Sequence, residues 1–337
     1  MILEALGSAY GAAAARRRRW YERHPDARKR LARPVVSVGN LALGGTGKTP
    51  IIEYLARLLQ ESGHRPAVLT RGYGRRLAHD GVTVVSDGER VLADVDRAGD
   101  EPLMLARSLP GVPVLVGANR YLSGRLAEQR FGTTVHLLDD GFQHLQLERT
   151  LDLLLVSEDD LSDRPVPAGR LREPLAEAAV AHAALVTAGY PAAAERIGRQ
   201  LGIDRAFRVV RTIGPPRRIV GGEPVVVPGG SRVFVVVGVA RPDRFVADLV
   251  GAGWDIVGML TFRDHHPYTR RDVAHIASAA RAAGASIVLT TAKDAERLAV
   301  CDLADLPIAA VPLDAAVDPD EDFLRWILAR LSEPCDT

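Results

Sequence analysis

Cysteine is scarce in this sequence, which has only Cys301 and Cys335 among its 337 residues. Two cysteines so far apart make neither a zinc-binding spacing nor a disulfide framework, which suits a reducing compartment. The sequence also lacks an excess of charge: its net charge is +1, so no overall field attracts nucleic acid, and we expect no nucleic-acid partner. No apolar run reaches the roughly 18 residues that span a bilayer. Nothing in the sequence indicates a protein partner.

The composition is that of an ordinary globular protein. Apolar residues make up 47% of the chain and charged residues 25%, which is enough to build a sizeable core. A length of 337 residues exceeds that of an average domain and predicts one large or two moderate domains. We find no internal repeat.

The N-terminal segment has a character of its own. In "MILEALGSAYGAAAARRRRWYERH", apolar residues at helical spacing are followed by Arg16 to Arg19 and by two aromatic residues. This order differs from that of a cleavable signal peptide, whose basic residues come first. We predict an amphipathic helix over residues 1–30. Two interpretations stay open here: a helix lying in an anionic membrane surface, or a helix packed on its own domain with a solvated basic end.

Strand-like apolar runs alternate with helical patterns along most of the chain. This alternation predicts an α/β fold with a mainly parallel sheet flanked by helices. The candidate strands are residues 35–39, 67–70, 112–116, 134–138, 151–156 and 184–187, and then 233–237, 254–261 and 286–290, with a short hairpin strand at 82–85. Residues 211–230 are rich in Gly and Pro and predict a linker with the makings of a small β-ribbon. We therefore expect a core domain over 31–210 and a smaller α/β domain over 231–337.

The stretch "ALGGTGKT", residues 42–49, matches the phosphate-binding P-loop pattern, with Ala42 where the stricter form has Gly. It stands between a predicted strand and a predicted helix, which is the order such a loop requires. We predict a nucleoside triphosphate, ATP, as the ligand and a P-loop NTPase-type core. Backbone amides that point inward would hold the phosphates, Lys48 would reach the outer ones, and the Thr49 hydroxyl would bind Mg²⁺. The candidate nucleotide-binding residues are Gly44, Gly45, Thr46, Gly47, Lys48 and Thr49.

A second site is predicted at "TVHLLDDGFQH", an apolar strand that ends in Asp139 and Asp140. Carboxylates at the carboxyl end of a strand beside the P-loop strand are placed to hold Mg²⁺. Alone, Asp-Asp-Gly is also an ordinary turn signal. Together with the upstream P-loop, the pair favours a metal site.

Seven sequence blocks, in this order, resemble those of the tetraacyldisaccharide 4′-kinases of the lipid A pathway. The blocks are "GGTGKTP", "TRGYGR" (70–75), "GDEP" (99–102), "DDGFQH", "GRLREP" (169–174), "FRDHHPYT" (262–269) and "TAKDAERL" (291–298). The resemblance implies ATP- and Mg²⁺-dependent phosphorylation of the 4′-hydroxyl of a tetraacylated glucosamine disaccharide 1-phosphate. It also implies a peripheral enzyme on the cytoplasmic face of the bacterial inner membrane, which favours the membrane interpretation of the N-terminal helix.

The resemblance also implies roles for individual residues. Asp100 resembles the family's catalytic carboxylate, although its local pattern fits an ordinary helix start equally well, and His265 resembles the histidine that works with it. The adjacent His266 is an alternative that the sequence leaves open. Arg172 would stabilise charge on the transferred phosphate and Glu173 would add a metal ligand.

Substrate contacts are assigned more loosely. The candidates are Arg71 and Tyr73 for the acceptor pocket, and Arg16 and Arg17 for lipid phosphates. The block "TAKDAERL" departs from the family pattern, with Ala292 where Glu is common, and we expect it to be structural, with Asp294 capping a helix start.

An alternative from another class is a membrane-associated P-loop ATPase that acts as a switch. Its P-loop and basic N-terminus would look the same. A switch needs only a positioned water and mobile loops, whereas this chain adds a candidate base and a histidine-containing second domain. A kinase for a soluble acceptor is disfavoured by the membrane-like N-terminus.

Overall fold

The computed structural model describes residues 2–45, 47–77, 80–303 and 306–333. The strands, numbered along the chain, are β1 (Val35–Gly39), β2 (Pro66–Thr70), β3 (Thr83–Asp87), β4 (Pro113–Val116), β5 (Val135–Asp139), β6 (Leu151–Ser157), β7 (Ala183–Thr187), β8 (Ala206–Ile213), β9 (Arg217–Arg218), β10 (Arg232–Val237), β11 (Asp255–Thr261), β12 (Ile287–Thr291), β13 (Ile308–Val311) and β14 (Leu313–Asp318). The helices are α1 (Ile2–Arg23), α2 (Lys48–Glu61), α3 (Val95–Ala98), α4 (Asp100–Ser108), α5 (Arg120–Phe131), α6 (Pro191–Leu201), α7 (Pro242–Gly251), α8 (Arg270–Ala282), α9 (Ala292–Leu298) and α10 (Asp320–Ser332).

The larger sheet has the order β14-β8-β7-β6-β1-β5-β2-β4-β3. Its inner strands are parallel, and only the two edge strands, β14 and β3, run antiparallel to their neighbours in the described residues. The predicted α/β fold with a mainly parallel sheet is therefore confirmed. The candidate hairpin strand near 82–85 corresponds to β3.

Helices cover both faces of this sheet, which explains why β1 reads as a continuous apolar run. Every residue of β1 is buried. Val36 and Val38 belong to the core cluster that includes Ile51 and Leu55 of α2. Val35 points to the other face and joins a separate cluster with residues of α5.

The smaller sheet has the order β11-β10-β12-β13-β9. Four of its strands are parallel, and the short β9 pairs antiparallel with β13. Helices again lie on both faces: Phe245 of α7 packs in one core cluster and Ile276 of α8 in the other. The segment 211–230 thus contributes β9 to this sheet and is more than a linker.

The predicted extent of the smaller domain, 231–337, is wrong at its C-terminal end. β14 pairs with β8 over Leu313 to Asp318, so the chain returns to the larger sheet after β13. On α10, Phe323 and Ile327 are fully buried in the core of the larger unit. The smaller unit therefore ends at β13, and the larger one also extends past 210, through the whole of β8.

Helix α1 packs against its own domain by a stripe of small residues. Its buried positions are Gly7, Gly11, Ala15 and Arg18. A Cβ atom at Gly7 would lie 2.8 Å from the carbonyl oxygen of Pro165, so only glycine permits this approach. The apolar residues of the helix take the opposite side and remain exposed, among them Ile2, Leu3, Leu6 and Tyr10.

Candidate active site

One large cleft, of about 1650 Å³, lies at the carboxyl edges of both sheets. Its walls include the loops after β1, β2 and β5 of the larger unit and those after β10, β11 and β12 of the smaller unit. The carboxyl ends of parallel strands are the usual ligand-binding edge of such folds. The volume exceeds the 300–1,000 Å³ or so of a typical small-molecule site.

The loop between β1 and α2 forms part of this cleft. Gly44 and Gly47 have φ values of +98° and +84°, in the region that residues with a Cβ rarely adopt. Thr46 lies outside the described residues. Lys48 opens α2, and its Nζ donates to Oδ1 of Asn40 at 2.7 Å and lies 3.3 Å from Oδ1 of Asp140. Gly45 and Thr49 also line the cleft.

Asp139 ends the neighbouring strand β5, Asp140 follows it, and both line the same cleft. Asp139 is buried and accepts a hydrogen bond from Oγ1 of Thr70 at 2.9 Å. Burial, with the charges of Glu101 and Asp140, raises the pKa of Asp139 to about 6. Burial would also raise the pKa of Asp140, but Lys48 and Arg172 outweigh it and lower that pKa. The pKa values of the two acids are thus shifted in opposite directions. Asp140 also has a φ of 52°, in the left-handed region that is unusual for a residue with a side chain.

The structure brings Asp100 and His265 together across the two units. Asp100, at the start of α4, is 1% exposed, and its two carboxylate oxygens lie 2.9 and 3.0 Å from Nδ1 of His265. His265 stands after β11 with a φ of 59°. Its neighbour His266 instead contacts Asp272 at 3.2 Å. Of the two histidines, His265 is therefore the one that lines the cleft.

Charges around this pair hold Asp100 ionised. Burial alone would raise the pKa of Asp100, but the hydrogen bond from His265 and the charges of Lys293 and Arg297 outweigh it, and the pKa falls to about 2. The same hydrogen bond raises the pKa of His265. Nε of Arg297 donates to Oδ2 of Asp100 at 3.0 Å, and both side chains are buried.

Arg297 and Lys293 belong to the block "TAKDAERL", for which the sequence predicted a structural role. Nζ of Lys293 lies 2.9 Å from Asp264, 3.2 Å from Glu101 and 3.3 Å from Nε2 of His265. The signal that could have revealed them is their position after β12, at the same sheet edge as the loop that carries His265. The helix cap is also different from the prediction, because Thr291 rather than Asp294 is the N-cap residue of α9.

Arg172 and Glu173, although adjacent, lie in different surroundings. Nη1 of Arg172 donates to Oδ2 of Asp140 at 2.7 Å, inside the cleft. Glu173 is 3% exposed, forms an ion pair of 2.6 Å with Arg18, and is absent from the described residues that line the cleft. Glu173, the expected metal ligand, is thus engaged by a buried arginine and stands apart from the described lining residues of the cleft.

The loosely assigned substrate residues divide in the same way. Arg71 and Tyr73 line the cleft, and Nη1 of Arg71 donates to the Tyr73 hydroxyl at 3.0 Å. Arg17 reaches the cleft from α1 and donates to the backbone oxygen of Gln143 at 3.1 Å, whereas the exposed Arg16 is not among the described lining residues. A membrane-crossing helix, judged by length and apolar character, is not found in the part of the chain that the structure describes.

The chain resembles known proteins along nearly its whole length. The family model described as tetraacyldisaccharide-1-P 4′-kinase matches residues 1–332. The tetraacyldisaccharide 4′-kinase of Syntrophus aciditrophicus is 35% identical, covering 99% of this chain and 93% of that protein. That of Geobacter metallireducens is 41% identical, over 86% and 89%.

A solved structure is similar to this chain in three dimensions as well. The crystal structure of the "apo" form of LpxK from Aquifex aeolicus in complex with ATP superposes with a TM-score of 0.76 at 29% identity, over 97% of this chain and 98% of that one. The similarity thus covers both sheets and helix α1. From these matches over the whole chain, we conclude that it belongs to the tetraacyldisaccharide 4′-kinase family.

Proposed function

We propose that this protein transfers the γ-phosphate of ATP to the 4′-hydroxyl of a tetraacylated glucosamine disaccharide 1-phosphate, a step of lipid A biosynthesis. The observation that carries the proposal is the Asp100–His265 pair, whose histidine lines the same cleft as the phosphate loop. A switch ATPase has no need of such a pair. Family membership supports the acceptor, and the relative solved with ATP supports the nucleotide.

The phosphate loop would hold the nucleotide. Amides of Gly44, Gly45 and Gly47, together with the start of α2, form a positive concavity for phosphate oxygens. Lys48 would bind the outer phosphates, since its ammonium already lies at this end of the cleft beside Asn40 and Asp140. We assign Thr46 to the same loop on the sequence pattern alone.

The residues present also suit Mg²⁺. A group of three or more acidic, histidine or cysteine ligands is not found within the described residues. Mg²⁺ in nucleotide sites needs only one or two carboxylates beside phosphates and water, and Asp139, Asp140 and the Thr49 hydroxyl supply that oxygen-only set. When bound, Mg²⁺ would neutralise part of the negative charge on the nucleotide phosphates.

The Asp100–His265 pair would accept the proton of the attacking hydroxyl. A carboxylate with a pKa of about 2 is a weak base on its own. Held by Nδ1–H of His265, it fixes the ring so that Nε2 is available as the acceptor atom, and it stabilises the imidazolium that forms. Lys293 now contacts Nε2, but Asp264 and Glu101 can keep its ammonium when the hydroxyl takes that place.

Arg172 would stabilise the phosphate during transfer. Its guanidinium is held by Asp140 and by Oε1 of Gln143, so it is already oriented at the edge of the cleft. A fixed cation next to the equatorial oxygens of the transferred group lowers the energy of the transition state more than that of bound ATP.

The acceptor lipid would enter from the side of α1. Arg17, Arg71 and Tyr73 line the cleft there, and Arg16 on the exposed side of the helix is available for lipid phosphates. The exposed apolar residues of α1 would insert into the anionic membrane surface, each nearby basic residue adding about 1 kcal/mol. This supports a peripheral membrane protein, and its place on the cytoplasmic face of the inner membrane rests on the family resemblance alone.

The test is an assay with γ-labelled ATP, with and without the tetraacylated disaccharide. Label recovered in a bis-phosphorylated lipid is the expected result. Release of inorganic phosphate as the sole labelled product, at a rate independent of the lipid, would overturn the proposal in favour of a switch ATPase. A soluble glucosamine disaccharide without acyl chains, used as a third arm, tests the requirement for a lipid acceptor.

A further inference from the structure

We propose that Arg18, buried on α1, is a positioning residue that holds Arg172 and Gln143 in place through the chain segments behind them. The inference rests on the proposed kinase function and adds to it a residue outside the cleft. Arg18 is 2% exposed and is absent from the described residues that line the cleft.

The guanidinium of Arg18 contacts two loops at once. Nε donates to Oε2 of Glu173 at 2.8 Å, and the closest ion-pair distance, from Nη2, is 2.6 Å. Nη2 also donates to the backbone oxygen of Phe142 at 3.1 Å. The group lies over the Phe142 ring, 4.3 Å from its centroid. One buried cation thus joins the loop after β5 to the "GRLREP" loop.

Each partner of Arg18 is next in sequence to a residue of the cleft. Gln143 follows Phe142, and Arg172 precedes Glu173. These two neighbours bond to each other, because Nη1 of Arg172 lies 3.3 Å from Oε1 of Gln143. Arg18 therefore bonds to the same two loops that the Arg172–Gln143 contact joins. The Arg172–Gln143 contact lies on the cleft side of these loops, and Arg18 lies on the side away from the cleft.

The connection extends to the phosphate loop. Nε2 of Gln143 donates to the backbone oxygen of Asn40 at 3.1 Å, and Asn40 in turn accepts from Lys48. Phe142 packs so closely on Gly39 that a Cβ at that position would have no room. Displacing Phe142 would thus move the end of β1 together with the Gln143 side chain.

Stability alone does not explain a charged pair in this place. Burial raises the pKa of Glu173 even though Arg18 opposes the shift, so the carboxylate is costly to keep ionised here. Replacement of a buried ion pair by apolar residues of similar size is often neutral or stabilising. The guanidinium supplies what an apolar pair lacks, which is directed bonds to two separate loops.

The experiment compares Arg18→Met with the double variant Arg18→Met/Glu173→Met. The single variant leaves Glu173 buried without its cation, so we expect a lower Tm and a lower kcat. The double variant removes that lone charge, so we expect its Tm to return close to that of wild type while kcat stays about 10- to 100-fold lower, as for a misplaced catalytic group. The KM for ATP should change less than kcat. Arg23→Met, on the exposed last turn of α1, is the matched control and should keep wild-type kcat.

The outcomes separate the inference from the proposed function. A double variant that recovers both Tm and kcat would show a purely structural pair and would overturn the inference. If the single variant does not fold, the double variant decides alone. A wild-type protein that transfers no phosphate to the lipid overturns the proposed function and this inference together, whereas an active wild type with a fully active double variant overturns only the inference.

Discussion

The carboxylate of Asp100 lies 2.9 Å from Nδ1 of His265, although 165 residues separate them in the sequence. One residue comes from α4 of the larger unit and the other from the loop after β11 of the smaller unit. Arg297, also from the smaller unit, donates to the same carboxylate. The complete arrangement therefore exists only when the two units are in contact. If this pair accepts the proton as proposed, the reaction depends on the contact between the two units.

Replacing Asp100 by Asn should change both the rate and its pH dependence. The carboxylate raises the pKa of His265, and the charged groups that face this ring are Asp100, Asp264 and Lys293. If His265 accepts the proton, activity falls as the pH drops through its raised pKa. Without the carboxylate that pKa decreases, so the acidic limb of the kcat/KM profile should move to lower pH, while kcat falls by about 10²- to 10⁴-fold.

The matched control for this variant is Asp96→Asn, an acid four residues earlier whose partly exposed side chain lies 3.7 Å from Arg76. It should keep the wild-type rate and profile. A profile that Asp100→Asn leaves unmoved, with a change in KM alone, would contradict the acceptor role of the pair.

Lys48→Ala should remove phosphate transfer while the fold persists. The side chain is partly exposed at the cleft and contacts Asn40 and Asp140 rather than the core. Loss of the cation that would bind the outer phosphates is expected to lower kcat at least about 10²-fold. Turnover and thermal unfolding of the same preparation provide the measurement. Undiminished turnover would rule out the phosphate-loop assignment, whereas a collapsed Tm would show that the fold was affected instead.

Leu3→Glu/Leu6→Glu should weaken binding to membranes. Both side chains are more than half exposed, so the change removes apolar surface without opening the core. Sedimentation with anionic vesicles should decrease, because two acids now oppose both insertion and the surface charge. Leu122→Glu, on an exposed position of α5, is the control and should sediment like wild type. Equal sedimentation of all three proteins would favour a helix whose exposed apolar side has no membrane role.

Phe323→Ala tests the return of the chain to the larger unit. Phe323 is fully buried and lies 5.0 Å, centroid to centroid, from the ring of Phe207 on β8. The cavity should lower the free energy of unfolding by about 3–5 kcal/mol, measured by denaturant titration. Val250→Ala, 58% exposed on α7, should change it by less than about 0.5 kcal/mol. A small effect at Phe323 would mean that α10 contributes little to that core.

The local sequence pattern is sufficient to predict most strands of the larger sheet. Runs such as 35–39 and 151–156 are mostly apolar and buried, because both faces of the sheet are covered, and their positions follow from the sequence within one or two residues. The tight turn after β1 is equally legible, since Gly44 and Gly47 have the positive φ values that favour glycine. Sequence blocks also indicated which ends of which strands meet at the cleft.

Pairing between strands that are far apart in the sequence is harder to predict from the sequence. β14 is a half-exposed edge strand, so its pattern lacks a continuous apolar run, and nothing local shows that it pairs with β8. The surroundings of Glu173 cannot be inferred from its local sequence for a related reason. An acid next to Arg172 looks like a cleft residue until the backbone shows that adjacent side chains point to opposite sides of the loop, one toward Asp140 and the other toward Arg18.

The return of β14 to the larger sheet makes the smaller unit an insertion with two covalent tethers. The outgoing crossing begins after β8 and the returning one lies between β13 and β14, and the two are bonded, with the amide of Gly214 donating to the oxygen of Pro312 at 2.9 Å. Two chain segments joined side by side resist twisting more than a single strand does. Because the chain enters and leaves the inserted unit through these two bonded crossings, any rotation of that unit has to bend both of them together near Gly214 and Pro312.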